Sequence, residues 1–130
     1  MMHDFGNGPV EAHQHSNGGG WVADTAHVED TAYVGPNAKV FDNAWVYDSA
    51  KVYDNAQVSG DAWVYGDAEV SGNAWVYGNA QVFGNALVSG DARVLGNAQV
   101  FGNARVCGVA RVCGITKVYS ATKVNTDITG

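Results

Sequence analysis

Four histidines and two cysteines are the residues of this 130-residue chain best suited to metal or nucleophilic chemistry. His13-x-His15 puts two imidazoles on one side of an extended segment, which is the beginning of a metal site, but no third ligand stands at a matching spacing. His27 is the only histidine beyond residue 20, and His3 has no partner at hand. Cys107 and Cys113 have no neighbouring His to activate a thiolate, so they read as free thiols, which suits a reducing compartment. A Ser-His-Asp constellation cannot be picked out. No catalytic, cofactor or metal residues are therefore expected. The chemistry within reach is that of surfaces, and the residues that make surfaces here are the aromatics.

Placing those aromatics requires the elements that carry them. Valine recurs every six residues from Val22 to Val124 without a slip, and a small residue, mostly Ala, sits two positions before each Val. The unit reads Ala-x-Val-x-Gly-Asn. Ala and Val, two apart, share one face of a short strand, and the residues flanking Val face the other way. Gly-Asn or Gly-Asp then turns the chain, because Gly permits positive φ and Asn and Asp tolerate it. The spacing does not fit a helix of 3.6 residues per turn. Strand, corner, strand, corner must wind into an all-β solenoid of parallel coils. The residues after each Val, taken every eighteen, give one column of Glu29, Tyr47, Tyr65, Phe83, Phe101 and Tyr119. Spacings of twelve or twenty-four scatter the aromatics. Like side chains stack best above one another, so the count is eighteen residues and three strands per coil, with six coils standing roughly 29 Å tall. Trp45 and Trp63 precede Val on the same face. Trp45, Tyr47, Trp63, Tyr65, Phe83, Phe101 and Tyr119 then form one outward strip, the expected interface, most naturally with a second copy.

The runs Val46-Tyr-Asp-Ser-Ala50, Val76-Tyr-Gly-Asn-Ala80 and Val100-Phe-Gly-Asn-Ala104 resemble the hexapeptide repeat of left-handed parallel β-helix proteins. The likeness covers about four-fifths of the chain and is closest in flavour to uncharacterised bacterial and phage proteins built of Gly-Asn-Ala-x-Val repeats, whose lead-in Asn17-Gly-Gly-Gly-Trp-Val22 also resembles. The resemblance implies a single-stranded left-handed parallel β-helix of triangular section. Hexapeptide acyltransferases of that class use a His near a subunit boundary and loops that leave the helix. Here no insertion breaks the register from 22 to 124, and His27 is the only repeat histidine. The three-His metal set of the related γ-class carbonic anhydrases has no counterpart. Acyltransferase-like catalysis thus ranks behind a non-catalytic scaffold or protein-binding module. Homo-oligomers are the expected partners, a dimer before the trimer frequent among the acyltransferases.

Charge supplies another reading. The net charge is −6, but residues 1–91 hold twelve acids against two bases, while residues 92–130 hold one acid and five bases. A rigid acidic rod could mimic nucleic acid and inhibit a host defence protein, as some phage products do; direct nucleic-acid binding is disfavoured, with only five bases at one end. Ice binding would need regular Thr rows, and Thr25, Thr31, Thr116 and Thr122 form none. Neither a signal peptide nor an apolar stretch of membrane-spanning length is found, so a cytoplasmic or phage-associated location is expected and no membrane partner. The expected divisions are a lead-in and cap over 1–20, a β-helix over 21–126 and a tail over 127–130. Phe5 and Val10 are the apolar residues available to cover the open N-terminal end. Asn43, Asn79 and Asn97 are expected to form an amide ladder. The early corner aspartates, Asp24 to Asp54, should stay solvated, and calcium is conceivable there but lacks the nonapeptide spacing.

Overall fold

The computed structural model describes residues 1–6, 8–120 and 122–129, and in it the six-residue unit becomes a two-residue strand and a corner. Three such strands make a turn, and each strand pairs in parallel with the one eighteen residues on, Val46 beside Val64 and Val64 beside Val82. The result is a parallel β-solenoid of about six turns with three sheets. The second sheet runs from His27–Val28 to Lys117–Val118, and the third from Tyr33–Val34 to Lys123–Val124. The first sheet contains Lys39–Val40, Gln57–Val58, Trp75–Val76, Arg93–Val94 and Arg111–Cys113, with extra strands at both ends. No helix among the described residues is long and apolar enough to cross a membrane.

The interior is a column of Val and Ala. The Val at every sixth position from 34 to 112 and the Ala at every sixth position from 44 to 110 are fully buried, whereas Val109, at a corner, is 72% exposed. Between coils, backbone N–H groups of one coil donate to carbonyls of the next, as in Trp63 N to Ala80 O at 3.0 Å and Tyr65 N to Val82 O at 3.0 Å. The corners join the same ladder: Asn79 N donates to Gly96 O at 2.8 Å.

The corners explain the Gly column. Gly78 has φ +69°, and a Cβ added there would stand 2.9 Å from Gly96 N. Three early corners hold Asp42, Asp48 and Asp54 in the same left-handed conformation, at φ 57–59°. These aspartates are exposed, as expected, and have protein partners besides. Each accepts a hydrogen bond from the corner N–H one coil on: Asp42 from Gly60 at 3.1 Å, Asp48 from Gly66 at 3.2 Å, Asp54 from Gly72 at 3.1 Å. The charge-assisted bond offsets the cost of a side chain at positive φ. The amide ladder also lies elsewhere than expected: it links Asn55, Asn73 and Asp91 rather than the Asn43 column, which Asp61 interrupts.

The N-terminal end closes by pairing. Strands β1 (Met2–Asp4) and β2 (Pro9–Gln14) form an antiparallel hairpin, and β2 pairs antiparallel with β3 (Trp21–Ala23), so the first sheet gains two strands. Residues 15–20 cross the edge of the third sheet. His15 Nε2 lies 2.8 Å from Ala32 O, Gly20 N donates to Val34 O, and Val34 N donates to Asn17 O. Val10, expected to cover the core, is 45% exposed; among the described residues of the cap Ala12, His15 and Gly20 are buried, while Phe5 stacks on Phe41 at 4.9 Å. At the other end the segment expected as a tail carries a strand, Ile128–Thr129, paired with Arg111–Cys113. Gly130 lies outside the described residues.

Candidate functional site

The outward aromatics of the second sheet form a continuous stack. Tyr47, Tyr65, Phe83 and Phe101 follow one another with centroids 4.8–4.9 Å apart and planes within 3–4° of parallel. Tyr119 continues the series at 5.7 Å and 16°. This spacing is the interstrand distance itself, so the backbone ladder sets the ring ladder. The rings cover one another's faces, leaving Tyr47 to Phe101 half-buried, while terminal Tyr119 is exposed.

Beside the stack stands a second row from the positions before Val. His27 lies 4.5 Å from Trp45, and Trp45 lies 6.2 Å from Trp63. Each Trp meets its neighbouring Tyr edge-to-face, Trp45 with Tyr47 at 6.4 Å and Trp63 with Tyr65 at 6.4 Å. Trp45 and Trp63 remain 44% and 40% exposed, a pair of adjacent indoles open to solvent on this face. The row ends in polar residues, Gln81, Gln99 and Lys117. All seven residues expected in the strip thus share one sheet.

Burial raises the phenol pKa of Tyr47, helped by the nearby Tyr65, Asp48 and Glu29, and raises that of Tyr65, helped by Asp48. On the third sheet Tyr53 donates to Glu69 Oε1 at 2.8 Å, and that bond, more than burial, holds its pKa up. Tyr33, Lys51, Tyr53 and Glu69 line an open hollow of about 290 Å³ there.

The histidines separate. His13 Nδ1 sits 2.7 Å from Asp24 Oδ1 at the surface, while His15 turns inward to a backbone carbonyl. Each thiol lies 3.7 Å from a carbonyl of the last coil, Cys107 from Val124 and Cys113 from Ile128. Among the described residues no group of three or more His, Cys, Asp or Glu converges.

A second aromatic group had not been expected as a site. On the first sheet Phe41, Trp75 and Tyr77 face outward, Trp75 and Tyr77 edge-to-face at 6.0 Å, with Arg93 5.1 Å over the Trp75 ring. The signal was present in the eighteen-residue columns: Ala23, Phe41, Ser59, Tyr77 alternates small and aromatic residues.

The geometry is that of a repeat protein, and comparison with known families agrees. The family model of the YdcK beta solenoid repeat matches residues 50–66, 80–96 and 98–114. The chain is similar to that repeat over these three spans, each nearly one coil long. They fall in the regular middle of the solenoid, where Gly occupies every corner but that of Asp54, and leave out the hairpin and everything after residue 114. No curated protein and no solved structure matches the chain.

Proposed function

We propose that this β-solenoid is a non-catalytic scaffold that associates with a second copy of itself through the second sheet. The observation that carries the reading is the Trp45–Trp63 row, 44% and 40% exposed on a flat face whose neighbouring rings are locked in a parallel stack. A rigid aromatic surface loses little conformational entropy on docking. The face measures roughly 29 by 13 Å, about 400 Å² per partner, which places the dimer in the weak class. Charge favours an antiparallel pair. A two-fold axis lying in the interface and across the solenoid sets Lys117 of one copy opposite His27 and Glu29 of the other.

Sedimentation at tens to hundreds of micromolar tests this. The wild type is expected to be a dimer that dissociates on dilution, and Trp63→Lys with Tyr65→Glu is expected to be monomeric throughout. A monomeric wild type at the highest concentration refutes the interface. A salt-sensitive nucleic-acid-binding protein captured from lysate instead would favour the acidic-mimic reading.

A further inference from the structure

The ladder of the second sheet has a ring on every rung from Tyr47 to Tyr119, whereas the corresponding column of the first sheet has gaps. Its rungs are Ala23, Phe41, Ser59, Tyr77, Leu95 and Cys113. The chain fills the gap at Ala23 itself. Phe5, brought over by the hairpin, stacks on Phe41 at 4.9 Å and 13°, and Ala23 is 1% exposed beneath it. Phe5, Ala23 and Phe41 border one small hollow. An inserted ring therefore adopts the same spacing as the protein's own ladder.

The gap at Ser59 has no such ring. Phe41 and Tyr77 lie two coils apart, about 9.6 Å at the interstrand spacing, which leaves one rung between two aromatic walls. A cavity of about 360 Å³ opens there, bordered by Phe41, Ser59, Tyr77, Gln57, Trp75 and Asp42, with the Phe5–Gly6 segment at its rim. Ser59 supplies a hydroxyl at the floor and Gln57 an amide that both donates and accepts. Trp75 stands edge-on to Tyr77 at the side. Among the described residues the one charged group on the lining is the Asp42 carboxylate, and the surrounding part of the chain is acidic.

We propose that this vacant rung is a binding site for a planar aromatic ring without negative charge, an aromatic amine or a neutral heteroaromatic, which intercalates between Phe41 and Tyr77. The neighbouring Phe5–Phe41 pair is the chain's own version of that contact. A ring in the slot completes a four-ring stack from Phe5 to Tyr77, meets Ser59 and Gln57 with any polar edge, and gains from Asp42 if it is cationic.

Tryptamine and indole-3-acetate are matched probes, and saturation-transfer NMR with calorimetry reads their binding. Tryptamine is expected to bind, and indole-3-acetate at least threefold more weakly. The decisive variant is Ser59→Phe, which plugs the rung with a ring of the kind the second sheet already stacks; it should keep its circular dichroism and melting temperature and lose at least tenfold in tryptamine affinity. Tyr77→Ser, which removes one wall, should weaken binding as much without filling anything. Ser59→Ala should still bind. Absence of tryptamine binding to the wild type at millimolar concentration overturns the proposal, as does unchanged affinity in folded Ser59→Phe. Equal affinity for a methyl glucoside would also overturn it, since the slot is assigned to a planar ring. None of these outcomes depends on dimer formation through the second sheet, which the monomeric double variant separates.

Discussion

At the scale of single residues the corners decide most. Gly78 combines a φ of +69° with a backbone nitrogen of the next coil where its Cβ would go. Gly78→Ala should therefore cost about 1–3 kcal/mol, from left-handed strain and from forcing two coils apart. Urea denaturation measures this, and a change under 0.5 kcal/mol would contradict the corner account. Asp42 shows why a side chain survives at an equivalent place. Its carboxylate reaches the N–H that an alanine would leave without a protein partner. This difference was not legible in the sequence. The Asp-to-Gly switch was visible, but only the coil stacking reveals that each Asp faces the N–H of the following corner. His15 is similar: it looked like half of a metal pair, and the path of residues 15–20 over the third sheet turns it into a buried cap residue.

At the scale of elements, the sheets convert a backbone repeat into a side-chain repeat. The Val and Ala spacing sufficed for the strands and the corners, because a two-residue strand has only one inward position to specify; the number of residues per turn had to come from the outward aromatics. The aromatic ladder was legible for the same reason: a column read every eighteen residues is a column in space. The paired gaps at Ala23 and Ser59 were equally visible in that listing, but nothing in the sequence showed that Phe5 returns to fill the first. Strand β1 does that, and its antiparallel pairing has no hexad to announce it. The outward tyrosines of the second and third sheets also have a titration signature. Tyr47, Tyr53 and Tyr65 have pKa values raised above the ordinary 10.0, the first and last by burial and Tyr53 mainly by its bond to Glu69. A raised phenol pKa means that the folded state favours the protonated form. Its contribution is complete below pH 10, about the unfolded value, and is lost as pH rises through the folded values. The native protein should then show phenolate absorbance at 295 nm appearing at higher pH than in urea, with the melting temperature falling over the same alkaline range. Superimposable native and unfolded titrations would refute it.

At the scale of the molecule the solenoid is nearly one-dimensional, since each coil meets only the coil before and the coil after. Duplicating residues 77–94 after Val94 inserts one complete coil in register and should raise the melting temperature. Duplicating residues 77–82 after Val82 keeps the Val–Ala core but moves Phe83 and Phe101 off the second sheet, and should lower it. Differential scanning calorimetry compares the two, and an equal response to both would show that the outward columns contribute nothing. The two ends differ. The last strands present Lys117 and Lys123, charges that discourage another edge from pairing there. At the opposite end, the hairpin is complete within the first fourteen residues and its docking strand β3 follows at once. A chain emerging from the ribosome thus has this hairpin before the first coil, and the hairpin docks as that coil and the next are made. Each later strand finds its partner already laid down eighteen residues earlier, so growth can run in the direction of synthesis like crystal layers added to a seed, without distant segments having to search for one another.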